Sequence, residues 1–223
     1  MATDGPMAIA TDTDILTLTQ WLSPAYPIGA FAYSHGLEAA ADQGWVTDAA
    51  SLEAWLEDVL LYGAGRSDAL LIAAAWRAKS AETLLTVDAT ARAFAPSRER
   101  WLESDQQGAS FARITETIWE GALSGLAYPV ALGAASARAN LPLALTQTLY
   151  LQSFLSNLVA AGQRLAPVGQ TAGQQILHRL TARLPALATA TEDGDLTQLS
   201  STNYLGDIAS MKHETQYSRI FRT

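Results

Sequence analysis

Apolar residues recur along this chain at the spacing of an α-helix, and no stretch alternates as a half-buried strand would. The clearest run is Leu52, Trp55, Leu56, Val59 and Leu60, at i, i+3, i+4, i+7 and i+8. It predicts a helix opened by Thr47 or Asp48 as cap and closed by Gly63 and Gly65. An Ala-rich helix carrying Leu70, Leu71 and Trp76 follows over 67–79, and two more over 81–94 and 97–119 are separated by Pro96. Tyr128-Pro129 interrupts a segment rich in Ala and Gly, in which the small residues of Gly121-x-x-x-Gly125 permit close helix approach. A long helix begins at Leu141-Pro142, gathers Leu151, Phe154, Leu155 and Leu158 on one face, and ends at Ala166-Pro167. Another, over 171–183, stops before Pro185. Heptad arrays, internal repeats and low-complexity linkers are not seen. The pattern predicts an all-α fold: one compact helical domain of roughly eight to ten helices over residues 1–190, with a loosely held C-terminal tail over 191–223.

The helical rhythm breaks most sharply over 23–38. Proline fixes its own φ and turns the preceding residue away from helix, so Ser23-Pro24 and Tyr26-Pro27 end the first helix and hold an extended connection. Gly29 then reopens the backbone, and a second helix is expected to begin near Ala30, carrying Phe31 and Tyr33 beside a bend that cannot collapse. Aromatics so placed serve either as a staple for the core or as a fixed surface for a partner. The residues alone leave both open.

Charge is unevenly spread. Residues 1–120 hold 17 acids and 7 bases, whereas 121–223 hold 5 acids and 7 bases. With no basic stripe, nucleic acid is not an expected partner. No acid occurs between Glu120 and Glu192, and Arg138 and Arg164 are the only charges there before Arg179. That stretch reads as the buried centre. Asn140, Pro142, Thr146, Gln147, Gln152, Ser153 and Asn157 interrupt it too often for a membrane span, which needs about 18 consecutive apolar residues. Its helices are enclosed by other helices or by a second subunit.

At 223 residues and 49% apolar, the chain can bury a sizeable core. It has no cysteine, which excludes a disulfide framework, thiolate metal ligation and cysteine catalysis, and is compatible with a reducing cytoplasm. Residues 1–6 carry neither the basic nor the apolar region of a secretory signal, and Met7 offers an alternative start.

Catalytic patterns are weak. His35, His178 and His213 lie far apart, with no His-x-His pair or His-Glu-x-x-His helix, so structural or surface roles are expected for them. Ser34 and His35 are adjacent, which points their side chains in different directions. The acid pairs Glu99/Glu103 and Glu116/Glu120 read as solvated helix faces, and Gly63-Ala64-Gly65-Arg66-Ser67 lacks the ending of a phosphate loop. Neither a cofactor nor a nucleotide is expected. From Ala190 the character changes: Glu192-Asp193-Gly194-Asp195 forms a solvated turn, and 200–207 shows no sustained helical period. The last residues, Tyr217, Ile220 and Phe221 between Arg219 and Arg222, mix apolar anchors with guanidinium donors. That mixture suits a segment that orders on a partner, or one that folds back on its own domain.

Three ordered blocks carry a family resemblance. They are Ser23-Pro24 through Pro27-Ile28-Gly29, Phe31 and Tyr33-Ser34-His35-Gly36-Leu37-Glu38; then Tyr150-Leu151, Phe154, Asn157-Leu158, Arg164-Leu165, Pro167 and Gly169-Gln170-Thr171; and finally Asp207-Ile208-Ala209-Ser210-Met211-Lys212-His213-Glu214 with Tyr217-Ser218-Arg219-Ile220-Phe221-Arg222. In these the chain resembles the urease accessory proteins of the UreF family. Lys212 stands where that family often has Arg, and Thr223 where Ser is more usual. The resemblance implies an all-helical, cytoplasmic, non-catalytic homodimer that binds UreD (UreH in some systems), recruits the GTPase UreG, and serves nickel insertion into apo-urease, with no membrane contact. It implies Phe31, Tyr33, Ser34 and Arg219 as the surface that recruits the GTPase, and Tyr217, Ile220, Phe221 and Arg222 as the tail's docking on UreD. Tyr150, Phe154 and Asn157 are expected in a dimer or core element. The competing reading is a helical enzyme or small-molecule binder that uses the Pro24–Gly29 bend as a pocket, with His35 as acid/base.

Overall fold

A computed structural model describes residues 10–200 and 202–223, and shows helices joined by short turns with no strand among them. The reading of residues 1–6 and of Met7 falls outside the described residues. The helices are α1 (Asp12–Trp21), α2 (Leu37–Asp42), α3 (Ala49–Tyr62), α4 (Ala64–Arg77), α5 (Ala81–Ala93), α6 (Arg98–Trp119), α7 (Tyr128–Arg138), α8 (Leu143–Leu165), α9 (Gln170–Thr181), α10 (Leu184–Thr191) and α11 (Tyr204–His213). Side-chain caps start several of them. Thr11 and Asp14 form a capping box on α1 and Asp48 with Ser51 another on α3, while Ser80 and Ser97 accept from the peptide N–H three residues on.

The apolar stripe of α3 is buried as its spacing requires: Leu52, Trp55, Leu56, Val59 and Leu60 all face inward. α7 is the enclosed centre. Its residues from Tyr128 to Ser136 are all buried, and it packs most extensively on α4 and α6. α8 lies beside it and touches α2, α3, α4, α7, α9 and α10. Deep within, the Gln147 amide donates to Ala69 O at 2.9 Å and to Thr191 Oγ1 at 3.1 Å, tying α8 to α4 and α10. An aromatic group closes the core under α1, where Trp21 meets Phe111 and Trp119 edge-on at centroid distances of 5.6 and 5.3 Å. Among the described residues no helix is long and apolar enough to cross a membrane.

Several boundaries differ from the sequence reading, each for a local reason. Gly63 alone divides α3 from α4, and Gly65 already belongs to α4, pressed against Leu60 O. Tyr128-Pro129 starts a helix rather than interrupting one, since a first-turn proline has no intrahelical N–H to lose; α9 does stop before Pro185, which in turn lies in the first turn of α10. Gly121 and Gly125 lie in the α6–α7 loop with positive φ, where Glu116 accepts from the N–H groups of Leu123 and Ser124. The close helix approaches belong to other glycines. A Cβ on Gly108 of α6 would strike Leu126 O, and one on Gly133 of α7 would strike Ile72 O. The helix expected near Ala30 is a single 3-10 turn, Ala30–Ala32, bounded by left-handed backbone at Gly29 (φ 74°) and extended backbone at Tyr33. Conversely, α11 exists where no period was read. The Asn203 side chain caps it, and Tyr204, Leu205, Ile208 and Met211 point to solvent, so its apolar residues trace no buried stripe.

Two substitutions test this packing through the shift of the denaturation midpoint at unchanged slope. Gly133→Ala, which must push α7 off α4, should cost about 1–3 kcal/mol. Leu56→Ala, which empties a fully buried site, should cost about 2–5 kcal/mol.

Candidate functional site

Proline and α8 together shape the bend after α1. Ser153 donates its hydroxyl to Leu22 O at 2.8 Å, and the Asn157 amide donates to Ala30 O at 2.9 Å and Tyr33 O at 3.5 Å, so two polar side chains of α8 hold the loop's carbonyls. Tyr150 and Phe154 of the same helix are buried core residues. Within the bend Tyr26 N donates to Ser23 O at 2.9 Å and Ile28 N to Tyr26 O at 2.8 Å, so its own turns and α8 hold it together. Phe31 projects from it, 69% exposed, whereas Tyr33 is buried and donates its hydroxyl to Gln106 at 2.9 Å. Ser34 is fully buried. Tyr33 and Ser34, expected at a surface, are thus buried.

What covers them is the C-terminal segment. Arg222 N donates to Ala32 O at 2.8 Å and Ser34 N to Thr223 O at 2.9 Å, and the Ser34 hydroxyl donates to the same Thr223 oxygen. Glu38, in the first turn of α2, accepts from Ile220 N and Phe221 N, each at 2.8 Å. The Phe221 ring is buried with the Arg164 guanidinium 4.6 Å from its centre. Arg219 donates to Glu99 at 2.6 Å, the Thr223 hydroxyl to Glu103 at 2.9 Å, and Arg222 to Gln106 at 3.3 Å. Ile220, between Arg219 and Phe221, turns its side chain outward, and Tyr217, just ahead of these anchors, is completely exposed. In the structure, then, the tail folds back on its own domain. Phe221 is an internal anchor, while Tyr217 and Ile220 are available to another molecule together with the exposed row of α11.

Glu99 and Glu103 are not on a solvated face, contrary to their i, i+4 appearance. Glu99 also pairs with His213, and Glu103 is buried against Arg100 and His35. Sequence reasoning missed this polar interior because its members, Glu38, Asp68, Glu99, Arg100 and Glu103, come from α2, α4 and α6 and form no local motif. The one available signal was Glu38 in an otherwise Ala-rich turn. Burial alone would raise the Glu103 carboxyl, but Arg100 and His35 outweigh it and hold it at about 2. Burial pushes Asp68 up to about 6, even though it accepts a hydrogen bond from the Tyr150 hydroxyl at 2.5 Å. Burial likewise lowers His35. Its Nε2 lies 2.8 Å from Glu103, its Nδ1 has no partner, and its ring packs edge-on against Phe154 at 4.9 Å.

Two cavities, of about 90 and 50 Å³, both border His35, Asp68 and Arg100. Ile28 and Ala30 border only the smaller one. The His35 Nε2 also lies 2.9 Å from the Arg100 guanidinium, so its ring sits within an ion pair. His178 is exposed on α9. Among the described residues no group of three His, Asp or Glu side chains is placed to hold a metal ion.

The comparisons with known proteins bear on the whole chain. A family model described as UreF matches residues 46–181. "Urease accessory protein UreF" of Ruegeria pomeroyi is 52% identical over 97% of this chain and 100% of its own length. The protein of the same description from Ruegeria sp. strain TM1040 is 54% identical over 96% of this chain and all of its own, and that of Roseobacter denitrificans 47% identical over 96% of each. At about half identity over nearly the whole chain, with the family model covering more than half of it, the chain belongs to the UreF family of urease accessory proteins.

Proposed function

We propose that this chain is a non-catalytic adaptor for the maturation of nickel urease: a cytoplasmic homodimer that joins UreD (UreH) and recruits the GTPase UreG to apo-urease. Its family's accessory role supports this reading over a catalytic pocket at the bend. The observation that carries it is the exposed apolar row Tyr204, Leu205, Ile208 and Met211, continued by Tyr217 and Ile220 on a backbone pinned to the domain. Aromatic and aliphatic side chains held at fixed positions lose little entropy on association, which suits a docking face. On this reading the row and the two tail residues meet UreD. Arg222 joins them there, Phe31 and Arg219 form the patch offered to the GTPase, and the buried Tyr33, Ser34 and Phe221 set the shape of this surface from below. Because Tyr150, Phe154 and Asn157 are used inside the domain, the homodimer contact belongs to another face.

Deleting the residues after Ser210 should abolish co-purification with UreD. Unchanged binding by the truncated chain would remove the tail from the interface. In the full-length protein Ile220→Asp should weaken UreD binding by about 2 kcal/mol, roughly 30-fold in Kd. The purified chain alone should hydrolyse no GTP, whereas His35→Ala should leave association with UreD intact; an enzyme using His35 would show the opposite pattern.

A further inference from the structure

Asp68 of α4 is an acid that no cation of the chain completes. Its Oδ2 accepts from the Tyr150 hydroxyl at 2.5 Å, whereas its Oδ1 has no hydrogen bond and no cation stands within ion-pair distance of it among the described residues. Burial, with Glu103 adding to it, raises the carboxyl to about 6 against the opposing pull of Arg100 and the Tyr150 hydrogen bond. Arg100 itself is bound to Glu103, and burial favours the neutral form of His35. One guanidinium therefore stands against two carboxylates, Asp68 and Glu103. A buried acid left over in this way calls for a positive partner from outside the chain.

The larger cavity, of about 90 Å³, has room for one. Val59, Leu71, Ala91 and Pro129 give it apolar walls, and it reaches the surface beside Phe94 and Pro96, which are exposed. Its polar groups include the hydroxyls of Ser67, next to Asp68 in α4, and of Ser104 on α6, neither of which has a hydrogen-bond partner among the described residues. One anionic acceptor and two neutral ones match the three N–H bonds of a primary ammonium ion, and apolar walls suit the alkyl stem that carries it. Water would fill the space without answering the charge. A metal ion fits less well, because among the described residues no group of three His, Asp or Glu side chains is placed to hold one.

We propose that this cavity is a binding site for a primary alkylammonium group, with the ammonium on Asp68, Ser67 and Ser104 and the stem along the apolar wall. Two sources supply that chemistry: a free small amine, or a lysine side chain of a protein docked over α11, whose Gly206 and Ser210 belong to the same cavity wall. The site stands on the chain's own geometry. Only the second source rests on the adaptor reading.

Amide spectra of the full-length protein, titrated with n-butylammonium chloride against sodium chloride at equal ionic strength, test the site. Saturable shifts are expected around Ser67, Asp68 and Ser104, and uncharged n-butanol should bind about tenfold more weakly. Asp68→Asn, which keeps the shape and an acceptor for Tyr150, should weaken butylammonium binding by about the same factor. No saturable shift at the cavity, equal binding of n-butanol, or unchanged affinity in Asp68→Asn would overturn the proposal. If that variant does not fold, the two probes on the wild type decide alone. Adding UreD then separates the sources, since release of the bound probe assigns the ammonium to a partner's lysine and retention assigns it to a free amine. A UreD that does not bind at all would count against the adaptor reading, while the probe titration still decides the site.

Discussion

One buried carboxylate, that of Glu38, sets the position of everything distinctive about this surface. It receives two consecutive peptide N–H groups from a segment 182 and 183 residues further along the chain, and a ring nitrogen of His213 as well. A carboxylate out of water is costly unless donors surround it, so the acid and the segment each complete the other. Without the segment Glu38 would face unpaired burial. Without Glu38 two peptide groups beside the buried Phe221 would lose their acceptor.

That mutual completion explains why the bend after α1 must be stiff. The two prolines and the α8 side chains Ser153 and Asn157 hold the carbonyls and turn of 22–33, which lets Ala32 and Ser34 meet the C-terminal backbone in register. A wandering loop would ask the tail contacts to order both partners at once, at about 1–2 kcal/mol per residue of backbone entropy. Here one side is already in place. The α6 acids extend the same arrangement, Glu99 toward Arg219 and Glu103 toward Thr223, so a single face of that helix underlies both the core and the tail.

Much of this architecture was legible in the sequence because it depends on spacing. The buried stripe of α3, its Asp48 cap and the proline limits of α8 follow from residue order alone. The family blocks also marked the segments that meet in space. What could not be read was long-range and polar. Glu99 and Glu103 look solvated until α2, α4 and the tail close over them, and Tyr33 and Ser34 look like surface until the last residues cover them. α11 escaped notice for the complementary reason, since its apolar side chains face outward and a hydrophobic period reports only what a helix buries. Pro129 was read as an interruption because proline's local constraint is the same at a helix's start as at its interruption; the structure shows that it starts α7.

Gly36 has a consequence of its own. Any side-chain atom there would fall 2.7 Å from Ser210 N, on backbone that already adopts φ 77°. Main chain therefore rests on main chain where α2 and α11 cross. The spacing of the two terminal regions is consequently insensitive to the rotamer changes and gradual side-chain substitutions by which most interfaces drift, and descendants of this chain can vary what they display on the outer face of α11 while inheriting an invariant mount beneath it.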